Sequence, residues 1–582
     1  MRARTTVSRI AALFAVLLVT GATAMAAGMS GSGRFDRPQQ GFAPASTVLE
    51  AAAPEDVGLD PKPIREAERL LARMAESDYV DGHPLFAGAV GLLAHDGKVV
   101  DTFAVGSAVR YADGEGVELP ADERVPMRED TIFDIASVTK LFTSIAVMQL
   151  VERGEVVLDR PVAAYLPEFG VNGKQDITVR QLLTHTSGLE PGLFLWRDWP
   201  DKQSRINAVL EVAPQHEPGT TYTYSDLNLI TLGVLVERVT GDELDEVIAE
   251  RITEPLGMKD TEFNPPAEKL DRIAATEFQE QPARGLVRGE VHDENAWSLG
   301  GVAGHAGLFS TARDLSVLGQ ALLNGGTYAG ERILRPSTVL QLFTNYNSEF
   351  PDNSHGLGFE LDQIWYMGGL TSPSTAGHTG YTGTSFVVDR QSRSIAVLLT
   401  NRVHPSRSWG SINPARQAWA TGLARALAVE PKHGRRAWSS FVGDDSTATL
   451  TTPRLAPRGR GVTVTFDAFV NTEPSDVLTL EASVDHGRTW TTVPLRARGE
   501  GAPRGTVEGL SGTDHRAWWS VRATMPATDA VTLRWRFTTD GNYTARGVVV
   551  DGIRVNDARG TLLDGERQPQ RFDAQGFVLT GR

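Results

Sequence analysis

The chain contains no cysteine in 582 residues. That absence excludes thiol nucleophiles, cysteine-ligated zinc, iron–sulfur clusters, disulfides and a lipid-modified N-terminal cysteine. Long apolar runs are missing too. The stretch Ile10–Val19 falls well short of the roughly 20 residues that span a bilayer, and no later uncharged segment is longer, so no membrane span is expected. Positive charge is in deficit: 57 Lys and Arg against 72 Asp and Glu leave a net charge of −15. An anionic surface repels nucleic acid, which is therefore not an expected partner. Also absent are the G-x-S-x-G nucleophile elbow, the H-E-x-x-H zinc helix and the G-x-x-x-x-G-K-[ST] phosphate loop.

What remains is globular in composition, with 41% hydrophobic and 22% charged residues, and is too long for one core, so at least two domains are expected. Arg2, Arg4 and Arg9 precede Ile10–Val19, and Ala24-Met25-Ala26 follows it. This is the plan of a secretory signal peptide over residues 1–26, and it implies a secreted protein, extracellular or periplasmic, after cleavage near Ala26. An Ala- and Arg-rich exported chain without disulfides suits a bacterium. Residues 27–53, rich in Gly, Ser, Pro and Gln, read as a flexible linker.

Order is expected from Pro54. Ile64, Ala67, Leu70, Leu71 and Met74 form one helical stripe, and residues 88–105 read as strand, Asp96-Gly97 turn, strand. Helical patterns fill Ser137 to Leu323. Strand patterns return at Ser385–Val388 and Ile395–Leu399, and a helix closes the domain over Pro414–Val429. Strands at both ends with helices between them make an α+β domain over 54–430, its sheet joining distant parts of the sequence. After the linker-like run Pro431–Arg436 the pattern changes to short alternating segments such as Val462–Phe466, Leu478–Ser483 and Val531–Phe537. These predict an all-β sandwich over 437–582.

Three motifs carry chemistry. Ser137-Val138-Thr139-Lys140 precedes an apolar helix, a spacing that puts hydroxyl and amine on one face. Serine is a poor nucleophile until a base takes its proton. Lysine is a base only when neutral, so its pKa of about 10.4 has to fall by ~3 pH units through burial or a second cation. Phe133, Ile135, Leu141 and Phe142 provide apolar surroundings. On this match alone a helix cap with a solvated lysine is the commoner outcome. Next, Tyr224-Ser225-Asp226 stands before a helical run, where Tyr224 is placed to share a proton with the Ser–Lys pair and Ser225 or Asp226 to cap the helix. Last, His378-Thr379-Gly380 leads through Tyr381 into a strand, where glycine admits a substrate backbone and a free amide donates to an oxyanion.

In this order, and with Leu182–Leu189 (LLTHTSGL), Pro255–Met258 (PLGM), Gly304–Ser310 (GHAGLFS) and Leu399–Pro405 (LTNRVHP), the chain resembles the penicillin-recognising serine hydrolases over residues 55–430. That family includes class C β-lactamases, D-Ala-D-Ala carboxypeptidases and related esterases. The resemblance implies a β-lactamase/transpeptidase-like antiparallel sheet flanked by helices and no metal or organic cofactor. Ser137 would be the acylated nucleophile, Lys140 the general base and Tyr224 a proton relay. His378, Thr379 and Gly380 would edge the site, with Asp226 at a substrate-binding position. The N–H groups of Ser137 and Tyr381 would form the oxyanion hole.

Two positions depart from the lactamase pattern. Asp226 replaces asparagine and cannot donate to an acyl-amide oxygen unless protonated, and His378 replaces lysine. The expected function is an exported serine hydrolase of small esters or D-amino-acid-containing peptides. A β-lactamase or carboxypeptidase, or a non-catalytic wall-binding protein, is the alternative. His292, Asp293 and Glu294 with His305 mimic a metal cluster but read as a structural stretch. Ser483–Trp490 fits a single Asp-box turn, and the sandwich is similar to jelly-roll modules of secreted peptidases, which suggests a cell-wall glycan as its partner.

Overall fold

The computed structural model describes residues 33–80, 82–459, 461–513, 515–526 and 528–581; the expected signal peptide lies outside them. The early hairpin is formed by β1 (Gly88–His95) and β2 (Lys98–Val109). Its turn places Asp96 and Gly97 at φ 47° and 80°, the left-handed conformation that a tight two-residue hairpin needs. The late strands are β3 (Thr375–Thr379), β4 (Ser385–Asp389) and β5 (Ser394–Thr400). β5 pairs antiparallel with β1, Leu398 opposite Gly91, and the order across the sheet is β2–β1–β5–β4–β3. Short strands extend this five-stranded core: Glu50–Ala51 runs parallel to β2, and Glu360–Leu361 pairs with β3.

Four helices fix the layers: α1 (Pro61–Met74), α2 (Thr139–Arg153), α3 (Asp226–Thr240) and α4 (Asn413–Ala426). Alternation along β1 divides the core between the two faces of the sheet. Val90, Leu92 and Ala94 pack in the cluster holding α2 and α3 residues, whereas Ala89 and Leu93 join α1 and α4. From Thr139 to Leu150 every residue of α2 is buried, so this helix sits inside the domain and its first turn is anchored on all sides.

The segment expected to be a linker is, from Gly33 onward, packed. Phe35 is buried and its N–H donates to Ala428 O at 2.8 Å, Leu49 is buried, and Glu50–Ala51 joins the sheet. Its composition lacks periodicity, but a few apolar side chains and one strand edge are enough to hold it. Among the described residues, no helix is long and apolar enough to cross a membrane.

The C-terminal part is a two-sheet β-sandwich. One sheet has the order β7 (Leu495–Arg498), β8 (Trp518–Pro526), β6 (Gly461–Asn471), β9 (Gly547–Asp557), then Ala437–Ser440 and Val578–Thr580. The second is built around Val477–Ser483 and Thr532–Thr538, and Trp535, Phe466 and Leu480 lie between the sheets. The described residues from 33 to 581 form one compact unit. Phe469 and Val549 of the sandwich share a core with Leu423 and Leu427 beside α4. Arg516 pairs with Asp389 at 2.6 Å with both side chains fully buried, and Arg546 donates to the carbonyls of Ala424 and Leu427.

Candidate active site

Ser137 lies on the single 3₁₀ turn Ala136–Val138 that runs straight into α2. The turn is held in an unusual conformation. Ala136 has φ 46°, which costs a non-glycine residue about 1 to 2 kcal/mol, and Asp134 braces it by accepting from the Ala136 N–H at 2.8 Å and from the His292 N–H at 2.6 Å. Strand β3 and the turn after it close on the same segment. Thr382 and Thr384 hydroxyls donate to the carbonyls of Asp134 and Ile135, and a Cβ on Gly380 would stand 2.4 Å from Ile135 O. Only glycine permits that approach.

One helical turn on, the Lys140 amine donates to Ser137 Oγ at 2.7 Å and to His305 O at 3.2 Å, and it meets Asp226 Oδ1 at 2.9 Å. It also stands 4.9 Å from the Tyr224 ring centre, and Tyr224 and Ser137 line the same cavity. Amine, hydroxyl and phenol therefore converge. The expectation of a lysine made neutral by burial is corrected here. Burial does oppose the charge, but the Asp226 carboxylate and Tyr224 outweigh it and hold the ammonium above the ordinary lysine range. Burial pushes the Tyr224 phenol up to about 12, against the pull of Lys140. The apolar flanks of Lys140 are visible in the sequence, whereas the anion that α3 delivers to it comes from 86 residues further along the chain.

Tyr224 is positioned by a residue whose role the sequence left open. His185, in the Leu182–Leu189 run, has a buried ring 4.7 Å from Tyr224, and its Nδ1 accepts from the Ser225 N–H and from Asn228 Nδ2, both at 3.1 Å. Burial and the neighbouring His355, Lys140 and His378 hold it well below the usual histidine range, so it stays a neutral acceptor. His378 is also buried. Its Nδ1 donates to Thr379 O at 2.8 Å, its ring lies 6.0 Å from Tyr224, and burial together with Lys140 keeps it neutral. It is no cationic anchor for a substrate.

These groups open onto a cavity of about 580 Å³ lined by Ser137, Tyr224, His378, Thr379, Gly380 and Tyr381. Of the predicted site residues, Lys140 and Asp226 sit behind this surface, joined to each other. Unforeseen in the wall are Glu360, which burial raises to about 7, and Arg416, which burial lowers to about 9. Arg416 donates to Gly380 O at 2.7 Å and Thr384 O at 3.0 Å, bracing the glycine turn.

The Tyr381 N–H donates to no described backbone carbonyl, and the Tyr381 ring is exposed beside Arg402. The residues of the metal-like group are engaged in side-chain contacts with one another and with Lys140 and Glu277. Asp226, Asp293 and His305 approach one another closely, but Lys140 already neutralises Asp226, and His305 Nε2 contacts Asp293 at 3.0 Å. His292 pairs instead with Glu277.

Residues 75–419 match the Beta-lactamase family. A protein of Escherichia coli (strain K12) carrying the provisional name D-alanyl-D-alanine carboxypeptidase is 32% identical over 392 residues, 61% of this chain and 86% of that one. Two solved structures are similar in fold. A penicillin-binding protein homologue from Caulobacter crescentus is 23% identical with a TM-score of 0.47, covering 63% of this chain and 99% of its own. A family VIII carboxylesterase is 23% identical with a TM-score of 0.46, covering 65% and 98%.

Proposed function

This chain belongs to the Beta-lactamase family, and from that premise we propose that it is an exported serine hydrolase cleaving small esters or D-amino-acid-containing peptides through an acyl-enzyme on Ser137. The observation that carries the proposal is the Lys140 amine standing 2.7 Å from Ser137 Oγ and 4.9 Å from the Tyr224 ring, directly behind a cavity that Ser137 and Tyr224 line. Ser137 Oγ attacks the substrate carbonyl carbon while its proton passes to the Lys140–Tyr224 pair. The pair returns that proton to the departing oxygen or nitrogen, and water then cleaves the ester on Ser137 by the same route in reverse. The N–H groups of Ser137 and Tyr381 receive the developing oxyanion, each donor contributing about 3 kcal/mol to the transition state.

The Lys140–Tyr224 pair accepts a proton only after losing one. A neutral lysine beside a phenol and an ammonium beside a phenolate hold the same number of protons, so the pair titrates as a unit. Asp226 favours the protonated form and offers no N–H to an acyl-amide oxygen, which favours esters over β-lactams. A D-Ala-D-Ala carboxypeptidase is the second reading, favoured by the name of the Escherichia coli relative. Comparing p-nitrophenyl butyrate, nitrocefin and a D-Ala-D-Ala peptide under one set of conditions tests the proposal. Turnover of the ester or the peptide with slow or no nitrocefin cleavage is expected, and nitrocefin as the best substrate would overturn it.

The division into a hydrolase domain over 54–430 and a sandwich over 437–582 is part of the proposal. The sandwich serves as a module that holds the enzyme on a wall polymer.

A further inference from the structure

The outer face of the sandwich sheet β7–β8–β6–β9 carries a feature that hydrolysis does not use. Alternation along these strands buries Leu495, Val521, Val464 and Val555 in the core and turns their neighbours outward. In register, Arg496 stands opposite Arg522, Arg522 opposite Thr465, and Thr465 opposite Arg554. Three arginines thus lie in one row across four strands, about 14 Å long at the usual strand spacing. Arg498 lies two residues along β7 from Arg496, on the same face.

All four arginines are exposed and line a groove of about 900 Å³. Like charges facing each other across a sheet are destabilising. The other sheet of the sandwich avoids this, since Arg534 and Arg536 both pair with Glu481. In the groove, no described carboxylate pairs with Arg498, Arg522 or Arg554, and Arg496 has only the Thr506 hydroxyl at 3.1 Å. Two acids line the groove: Asp467 is already paired with Lys432 at 2.6 Å and His433 at 2.7 Å, and Glu566 makes no salt bridge to the four arginines. A cationic strip therefore stands exposed on a chain whose net charge is −15.

We propose that this groove binds a linear acidic polysaccharide, its carboxylates received by the arginine row and its hydroxyls by the interleaved threonines. The guanidinium fork matches a carboxylate with two parallel N–H···O bonds, and Thr465, Thr506 and Thr524 supply hydroxyls between the charges. Nucleic acid fits less well. The lining offers no exposed Phe, Tyr or Trp ring on which bases stack, since Phe466 is buried, and its one exposed imidazole, His433, is held by Asp467 at 2.7 Å. The inference rests on the reading of the sandwich as a polymer-binding module and names the polymer's chemistry.

The test uses the full chain and polygalacturonate, with its fully methyl-esterified form as the uncharged control. Binding to the acid form that weakens as salt rises is expected, with little binding to the ester. The variant Arg522→Ser/Arg554→Ser should lose about tenfold in affinity, while its rate on p-nitrophenyl butyrate stays at the wild-type value and so reports an intact fold. Undiminished binding by that variant, or equal binding of single-stranded DNA, would overturn the proposal. Binding of intact cell walls without binding of polygalacturonate would overturn it while leaving the wall-module reading in place. Binding of neither would remove both.

Discussion

Asp226 is the side chain on which the chemistry of the site turns. It stands 2.9 Å from the Lys140 amine and raises the pH at which the Lys140–Tyr224 pair gives up a proton. In the proposed mechanism the active form is the one lacking that proton, so the rate should rise with pH, and the carboxylate places that rise at higher pH than the pair alone would. Asp226→Asn removes the anion and should move the ascending limb of kcat/KM down by about 1 to 3 pH units. Profiles for both proteins on p-nitrophenyl butyrate check this, and a limb that stays in place would contradict it. Tyr224→Phe keeps the ring against His185 but removes the proton carrier. It should lower kcat/KM by about 10²- to 10⁴-fold with little change in melting temperature.

At the scale of elements, the site depends on how closely β3 and its glycine turn approach the segment before α2. Gly380→Ala places a methyl 2.4 Å from Ile135 O and 2.1 Å from Thr384 Oγ1, and the turn has to move away from Ser137. A displacement of that kind should cost about 10² in kcat/KM. Fluorophosphonate labelling rates for the variant and the wild type measure it, and equal rates would show that the contact is relieved without disturbing the nucleophile. Much of this layer was legible in the sequence. Helix α1 follows from its apolar stripe, and the hairpin and late strands from turn residues and apolar, β-branched runs, since β1, β4 and β5 are buried on both faces. The braces were not. Asp134, His185 and Arg416 hold the site through bonds to backbone groups far away in the chain, as in Asp134 to His292, and no spacing rule records such bonds. The packing of the Gly33–Ala53 segment leaves no sequence signal for a related reason, since it rests on single anchors such as Phe35 rather than on a repeating stripe.

For the whole molecule, the joint between the hydrolase domain and the sandwich is a buried interface and not a tether. Arg516 reaches from the sandwich to Asp389 at the end of β4 and to Leu370 O at 2.7 Å, and its guanidinium lies 4.1 Å from the Phe35 ring. Arg516→Ala leaves Asp389 buried without its counter-charge, held only by donors of Thr375, Gln391 and Ser392, and should destabilise the chain by about 3 to 5 kcal/mol. Urea unfolding followed by tryptophan fluorescence reads this loss, and a change below about 1 kcal/mol would show that the pair holds nothing together. The central claim, that Ser137 is the acylated nucleophile, is tested most directly by treating the whole chain with a fluorophosphonate and measuring intact mass followed by peptide mapping. One adduct on Ser137, absent from Ser137→Ala, is predicted. An adduct on another serine, or none on wild type, would contradict the account.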